Sequence, residues 1–150
     1  MRIVIQRVKN ASVTVKENSI ASIEKGMLIL LGIETQDTEE DIDWLVRKAC
    51  NLRIFDDENG VMNRSLLASD GQAIVVSQFT LHASTKKGNR PSYTQAARPE
   101  LALLLYKAFV KKMEETLGKT VQTGEFGAMM DVSLCNDGPV TIIIDSKNRV

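Results

Sequence analysis

The sequence predicts an α+β fold with a largely antiparallel sheet, because its strands follow one another more often than they alternate with helices. Apolar residues recur with a period of two in the first half and near the end, and only two segments have helical periodicity. The length of 150 residues suits one compact domain, and no linker or repeat divides it. We therefore expect a single domain over residues 1–150.

The strand predictions rest on alternation and on β-branched residues. The apolar run Met27–Ile33 is typical of a strand buried on both faces. A further strand is predicted over Ala73–His82, and a hairpin turn at Glu17–Ser19. The other predicted strands are Ile3–Val8, Ala11–Val15, Ile20–Glu24, Val121–Thr123, Asp131–Asn136 and Val140–Asp145.

Two helices are predicted from apolar residues at helical spacing. The first spans Asp37–Leu52, with Asp37 as its cap and Glu40 completing a capping box. The second begins at Pro99 and ends before Gly118. The polar stretch between the last long strand and this helix, residues 83–98, predicts a long loop, and such loops are often functional.

Composition excludes several classes of protein. Cations and anions balance at 19 each, which argues against a protein that coats nucleic acid by bulk charge. The two cysteines, Cys50 and Cys135, are far apart and form no metal-ligand pattern, so we expect no metal or cofactor and assign both thiols to the core. No segment has the apolar length of a signal peptide or a membrane span, which favours a cytoplasmic protein.

The single histidine, His82, is a candidate general base at a strand end. The sequence contains neither a Gly-x-Ser-x-Gly elbow nor a phosphate-binding loop to accompany it. A lone histidine with no evident orienting partner rarely carries chemistry. We therefore favour the interpretation that His82 is a rim residue beside a site.

Three polar segments are candidates for function, and each has a plain structural alternative. Ser77–Leu81 either offers hydroxyls and backbone N–H groups to a ligand or is a barrel strand with satisfied polar groups. Asn136–Thr141 contains Asp-Gly-Pro and predicts a turn between two strands, with an undetermined proline isomer. Lys86–Tyr93 groups three cations and an aromatic, which suits either phosphate contact and base stacking or an ordinary solvated loop.

Taken together, these segments resemble the D-aminoacyl-tRNA deacylases of the bacterial and eukaryotic type, over residues 3 to about 144. The resemblance depends on many short motifs in one order rather than on any single piece. The motifs are Ile5–Val8, Ala11–Val15, Arg53–Phe55, Met62–Asn63, Ser77–Leu81, Arg90–Ser92, Thr123–Val132 and Asn136–Thr141.

The resemblance implies a two-sheet, barrel-like α+β domain that forms a homodimer. It implies that the Gly138–Pro139 bond is cis and that this pair enters the active site of the other subunit. The expected substrate is the ester between a D-amino acid and the terminal adenosine of tRNA, hydrolysed as chiral proofreading in translation. The residues implied in catalysis are Ser77, Gln78, Phe79 and Thr80, and those implied in substrate binding are Gly138, Pro139, Arg7, Phe126, Met129 and Met130.

In this hypothesis, backbone N–H groups around Phe79 and Thr80 stabilise the tetrahedral oxyanion. The carbonyls of Gly138 and Pro139 accept hydrogen bonds from the α-ammonium group, so that an L side chain clashes and glycine, without a side chain, is a further candidate substrate.

Several alternatives stay open at this point. Either the Thr80 hydroxyl is the nucleophile, or the terminal 2′-OH helps to activate water, which the lack of a base favours. Phe126, Met129 and Met130 either line the adenosine side of the site or belong to the core. The rival functions are a dimeric module that binds nucleic-acid ends without cutting them, and an esterase or peptidase for free D-amino-acid derivatives.

Overall fold

The structure, a computed structural model that describes residues 1–150, confirms the α+β class. A six-stranded sheet is accompanied by a two-stranded ribbon and three helices. The elements are β1 (Arg2–Val15), β2 (Asn18–Ile23), β3 (Gly26–Gly32), α1 (Glu39–Asn51), β4 (Phe55–Asp56), β5 (Met62–Arg64), α2 (Leu66–Ser69), β6 (Gln72–Ser77), α3 (Pro99–Leu117), β7 (Gln122–Thr123) and β8 (Asp131–Asp145).

Strand β1 is the centre of the sheet. It runs unbroken through 14 residues, so the two separate strands predicted for this region are one. Its first half pairs with β3 and its second half with β2, while β8 pairs with both halves. The turn into β2 lies at Lys16 and Glu17, both with positive φ, slightly before the predicted position.

The sheet curls into a nearly closed barrel in the order β2-β1-β3-β6-β7. The side chain of Gln122 closes the gap, because it donates to the Ser22 carbonyl at 2.7 Å and accepts from the Ser22 amide at 2.6 Å. Strands β3, β6 and β7 run parallel, and the other pairs are antiparallel. The barrel interior is filled by Val8, Ala11, Val13, Ala21, Ile23, Leu28, Ile74 and Val76.

The larger core lies between the sheet and the two long helices. It contains 23 buried residues, among them Ile3, Ile5, Met27, Leu45 and Phe109. Because neighbouring β-strand side chains point to opposite faces, β3 contributes alternately to this core and to the barrel interior. Strand β1 contributes to this core in its first half and to the barrel interior in its second half. A strand that serves two cores has few positions free to vary, which explains the dense apolar run at Met27–Leu31.

The predicted helices are present, with one error at the cap. Helix α3 begins at Pro99 and ends at Leu117, and Gly118, whose φ of 68° is left-handed, caps it. Helix α1 is capped by Thr38 and Asp41 rather than by Asp37 and Glu40. Asp37 is instead buried and paired with the α-ammonium group of Met1, a partner too distant in sequence to be foreseen.

The cysteines lie in different environments. Cys50 is buried, as predicted, and burial raises the pKa of its thiol to about 11. Cys135 is exposed on β8, so its assignment to the core is wrong. Among the helices, none combines the length and the hydropathy that crossing a membrane requires.

Candidate active site

The polar segment after β6 forms a 3-10 turn rather than the strand that the sequence predicts. Strand β6 ends at Ser77, and Phe79–His82 is a single 3-10 turn against the end of β3. The prediction is wrong here because Leu31 and Ser77 are the last paired residues of β3 and β6, so no ladder continues beyond them. The Gln78 amide still donates to the Leu31 carbonyl at 2.8 Å. We call residues 77–82 the strand-end turn.

Gly32 provides the space in which the strand-end turn lies. A Cβ at residue 32 would be 2.9 Å from the Cβ of Leu81 and 3.1 Å from the carbonyl oxygen of Gln78. Both distances are shorter than a normal packing contact, so a larger residue would displace the turn. No local sequence pattern indicates this role of Gly32, because the role depends on a chain segment some fifty residues away.

The side chains of the strand-end turn are partly open to solvent. The side-chain Nε2 of Gln78 donates to the Thr80 hydroxyl oxygen at 2.5 Å. Phe79 is 56% exposed, although its ring packs edge-on against Tyr93 with the centroids 5.0 Å apart. No carboxylate or imidazole forms a hydrogen bond with Thr80, so its hydroxyl lacks the base that a nucleophile needs.

His82 is buried behind the turn. The prediction that it lies at the rim of the site is therefore wrong. Its side chain is 2% exposed, and its Nδ1 is 3.7 Å from a carboxylate oxygen of Glu34. Its Nε2 is buried without a hydrogen-bond partner. This imidazole therefore packs under the turn and does not reach the side where Phe79 is exposed.

The predicted Asn-Asp-Gly-Pro turn is a bulge within one continuous strand, which corrects the prediction of two final strands. Gln6 of β1 pairs with Thr141, and Val8 pairs with Asn136, so β8 uses five steps where β1 uses two. The chain does not reverse because β1 continues alongside it in both directions. Residues 137–140, which have no partner in this register, form what we call the projecting bulge.

The side chain of Asn136 holds the base of the projecting bulge. Its Oδ1 accepts from the Val140 amide at 2.7 Å, and its Nδ2 donates to the Val140 carbonyl at 3.1 Å. One amide side chain therefore replaces the ladder bonds that the bulge interrupts.

Arg7 holds the bulge from the other side. Its side chain is only 9% exposed, and its Nε donates to the Asp137 carbonyl at 2.8 Å. Its Nη1 donates to the Ile54 carbonyl at 2.5 Å and lies 3.4 Å from a carboxylate oxygen of Asp56. The sequence motifs indicated Arg7, but they did not indicate that Arg7 also donates a hydrogen bond to Ile54, in the segment before β4.

Gly138 occupies a position that no other residue fits. Its φ is 149°, and the peptide bond to Pro139 is cis, as the resemblance implied. A Cβ here would lie 2.7 Å from Cγ2 of Val140 and 3.4 Å from the guanidinium of Arg7. The backbone can therefore take this path only with glycine.

The strand-end turn and the projecting bulge do not meet within one chain. Arg2 donates to the Leu81 carbonyl at 2.6 Å, which places the turn beside the start of β1. Arg7 marks the bulge, and the two arginines are about 16 Å apart along the strand. An even and an odd position also direct their side chains to opposite faces. The structure therefore brings the implied site residues together as two separate groups.

The remaining implied site residues differ in their surroundings. Met129 is 92% exposed, so it is not a core residue. Met130 packs against the barrel interior, and Phe126 packs against the larger core with its ring 5.8 Å from that of Tyr106. The Tyr106 hydroxyl donates to a buried carbonyl of β6, and burial raises the pKa of Tyr106 to about 12.

Strand β8 leaves one long edge without a partner. It pairs only with β1, and none of its 15 residues is fully buried. Ile143 on this strand is 64% exposed. Monomeric proteins usually shorten or cover such an edge, because unpaired backbone groups beside apolar side chains invite another chain.

Comparison with known proteins covers almost the whole chain. The family model described as D-Tyr-tRNA(Tyr) deacylase matches residues 4–145. The chain belongs to this family. It is 63% identical over 149 residues to the D-aminoacyl-tRNA deacylase of Bacteroides fragilis (strain YCH46), covering 99% of each chain.

Two solved structures share the fold of this chain. A structure named "c-Myc DNA Unwinding Element Binding Protein" is 40% identical, with a TM-score of 0.91 over 97% of this chain and 98% of that one. A second, described as a "probable eukaryotic D-amino acid tRNA deacylase", has a TM-score of 0.81 over 95% and 97% of the two chains. At 16% identity the second likeness shows the fold alone. The resemblance proposed from the sequence motifs is confirmed.

The hydrogen bonds between the Asn136 side chain and Val140, at the base of the projecting bulge, give a first prediction. Replacing Asn136 with Ala removes the acceptor of the Val140 amide, so that amide should exchange with deuterium about tenfold faster. The measurement is native-state hydrogen exchange followed residue by residue.

Asn10→Ala is the matched control, because Asn10 is exposed on the adjacent β1 and its side chain forms no hydrogen bond. This control should leave exchange at Val140 unchanged. Equal exchange in Asn136→Ala and the wild-type protein would show that the side chain does not hold the bulge.

Proposed function

We propose that this chain hydrolyses the ester of D-aminoacyl-tRNA and releases the free D-amino acid and tRNA. Membership of the deacylase family supports this proposal. The observation that carries it is a glycine-dependent bulge, held by Arg7 and Asn136, whose residues 137–140 have no partner in the strand register. A turn that only connects two strands does not require such restraints, so the bulge suits contact with another molecule. The proposed reaction needs no metal or cofactor, and we propose the cytoplasm as its place.

The active site would be shared between two subunits of a homodimer. The strand-end turn of one subunit would face the projecting bulge of its partner, because Arg2 and Arg7, which contact the turn and the bulge of one chain, are about 16 Å apart along β1 and point to opposite faces. The open edge of β8 supports this assembly, since the edge carries both the bulge and the exposed Ile143. In a symmetric dimer the same pairing occurs twice.

In the proposed reaction, water attacks the ester carbonyl and a tetrahedral oxyanion forms. The amides of Phe79 and Thr80 are suitable donors, because the first N–H groups of a helical turn have no acceptor within it. Ser77 and Gln78 would shape the pocket around these donors. Collapse of the intermediate breaks the bond to the ribose oxygen, which leaves protonated on the tRNA.

The activation of water is assigned to the terminal 2′-OH of the substrate rather than to a protein side chain. The Thr80 hydroxyl accepts a hydrogen bond from Gln78 and has no neighbouring base, so it is a poor nucleophile at neutral pH. His82 is buried behind the turn and is not bonded to Thr80.

Chirality would be read by Gly138 and Pro139 of the partner subunit. Their carbonyls would accept hydrogen bonds from the α-ammonium group, while Arg7 and Asn136 keep the bulge from moving. With the ammonium and the ester both fixed, an L side chain would collide with the bulge and a D side chain would not. Glycine has no side chain to collide, so glycyl-tRNA is a further candidate substrate.

The adenosine end of the substrate is assigned to the segment that carries Phe126, Met129 and Met130. Met129 supports this assignment because an apolar side chain that is 92% exposed contributes nothing to its own core. Phe126 and Met130 would hold the segment in place through their packing.

A second candidate function is a dimeric module that binds nucleic-acid ends without cutting them. The name of the structure that is 40% identical describes that protein as binding DNA, which favours keeping this candidate. Pure binding gives no reason for a glycine-dependent bulge, so we rank it second.

A paired deacylation assay tests the proposed function. Purified protein should release tyrosine from D-Tyr-tRNA and not from L-Tyr-tRNA, because only the L side chain collides with the bulge. Free amino acid is followed over time. Release from both substrates would contradict the chiral mechanism, and release from neither by an intact dimer would favour the binding module.

Gly138→Ala should abolish most of the deacylase activity. The added Cβ would displace either Val140 or the bulge itself, and a displacement of about 1 Å at a reacting centre lowers kcat/KM by about a hundredfold. Gly60→Ala is the control, because Gly60 also has a positive φ but nothing lies within 4 Å of its Cβ position. Wild-type kcat/KM in a folded Gly138→Ala protein would refute this role.

Thr80→Val and a 2′-deoxy substrate distinguish the two ways of activating water. We expect Thr80→Val to lower kcat by about tenfold or less, since only a hydrogen bond with Gln78 is lost. D-Tyr-tRNA that ends in 2′-deoxyadenosine should react far more slowly. A loss above about ten-thousandfold in Thr80→Val, as removal of a nucleophile causes, would assign the attack to Thr80.

A further inference from the structure

The loop at residues 83–98, which we call the basic loop, concentrates positive charge. It contains Lys86, Lys87, Arg90 and Arg98 and no acidic residue, in a chain whose charges balance overall. All four side chains are exposed, and none takes part in a salt bridge or a side-chain hydrogen bond within the chain. Clustered cations without counter-charges are the electrostatic signature of a nucleic-acid surface.

The basic loop is held in a defined place. Ser84 and Ser92 exchange two backbone hydrogen bonds, of 2.8 and 2.9 Å, which close the outer part of the loop into a hairpin. At its base, the Ala97 amide donates to the Ile33 carbonyl at 2.9 Å, directly after β3. The three outermost cations therefore project from a fixed base beside the strand-end turn.

An aromatic pair joins the basic loop to the strand-end turn. The rings of Phe79 and Tyr93 meet at 73° with their centroids 5.0 Å apart. Both are partly exposed, Phe79 at 56% and Tyr93 at 38%. An edge-to-face contact leaves a ring face open, and open aromatic faces beside cations are the usual platform for single-stranded bases.

We propose that the basic loop is a docking arm for the single-stranded 3′ end of tRNA, on the nucleotides that precede the terminal adenosine. Tyr93 stacks on one base, and Lys86, Lys87 and Arg90 contact the phosphates that follow along the strand. This inference rests on the proposed function, which places the terminal ester at the strand-end turn. Phosphate contacts carry no base information, so the arm binds tRNAs without regard to their amino-acid identity.

The first test measures RNA binding directly. The probe is a short, fluorescently labelled single-stranded RNA that ends in CCA, and its anisotropy is followed at salt concentrations between about 50 and 200 mM. The variant is Lys86→Ala/Lys87→Ala/Arg90→Ala. The control is Arg47→Ala/Lys107→Ala/Lys111→Ala, which removes the same charges from exposed helix positions without salt bridges.

Loss of three phosphate contacts should reduce the slope of log affinity against log salt by about 2, since each contact to a single strand contributes about 0.7. Over this salt range the wild-type protein should therefore lose about 20-fold more affinity than the loop variant. The control should behave as wild type. The same slope in the loop variant and in the wild-type protein overturns the inference, as does an equal change in the control.

The second test examines stacking by Tyr93. Tyr93→Ala should weaken RNA binding by about fivefold or more, while Tyr93→Phe retains the ring and should bind as wild type. The Tyr93 hydroxyl forms no hydrogen bond within the chain, so Tyr93→Phe removes no contact, whereas Tyr93→Ala removes the ring that packs on Phe79. Equal RNA affinity of Tyr93→Ala and Tyr93→Phe would show that Tyr93 does not stack on a base.

Hydrolysis separates this inference from the proposed function. With D-Tyr-tRNA, the loop variant should show a raised KM and an unchanged kcat, whereas with D-tyrosyl-adenosine, which has no upstream phosphates, it should match the wild-type enzyme. A loss with both esters would overturn the docking role. A wild-type protein that cleaves neither ester refutes the proposed hydrolase, while the anisotropy measurement still decides whether the arm binds RNA.

Discussion

The buried guanidinium of Arg7 holds three segments of the chain in one place. It donates to the carbonyls of Ile54 and Asp137 and faces the carboxylate of Asp56. A cation that is nine-tenths buried is stable only when its donors are satisfied, and removal of one partner is costly. The projecting bulge therefore has its position fixed by the same contacts that keep this charge in the interior. Asn136 completes the restraint from the other side.

The shape of the sheet separates the restrained bulge from the strand-end turn. The long strands β1 and β8 carry the bulge on one face and approach the strand-end turn near their other end. A single chain does not bring the two together, whereas the proposed symmetric pair of chains, joined near the β8 edge, would bring them together twice. In the proposed enzyme, dimer formation is thus part of building the active site. The basic loop would extend that site away from the ester, along the substrate.

Sequence patterns predicted the α+β class and both long helices, because these depend on local periodicity. They did not predict local geometry that depends on distant segments. The strand after Ser77 becomes a 3-10 turn because β3 ends opposite it and Gly32 leaves room. The Asp-Gly-Pro segment is a bulge because β1 continues beside it. Asp37 does not cap α1, because it is paired with the distant α-ammonium group of Met1.

The most direct test of a shared site is to mix two inactive dimers. One carries Gly138→Ala and the other carries Gly32→Val, which displaces the strand-end turn. Subunits are exchanged by mild denaturation and refolding. Half of the dimers should then be mixed, each with one intact site, so deacylation of D-Tyr-tRNA should recover to about a quarter of the wild-type rate. No recovery, with mixed dimers confirmed by mass spectrometry, would show that each site belongs to one chain.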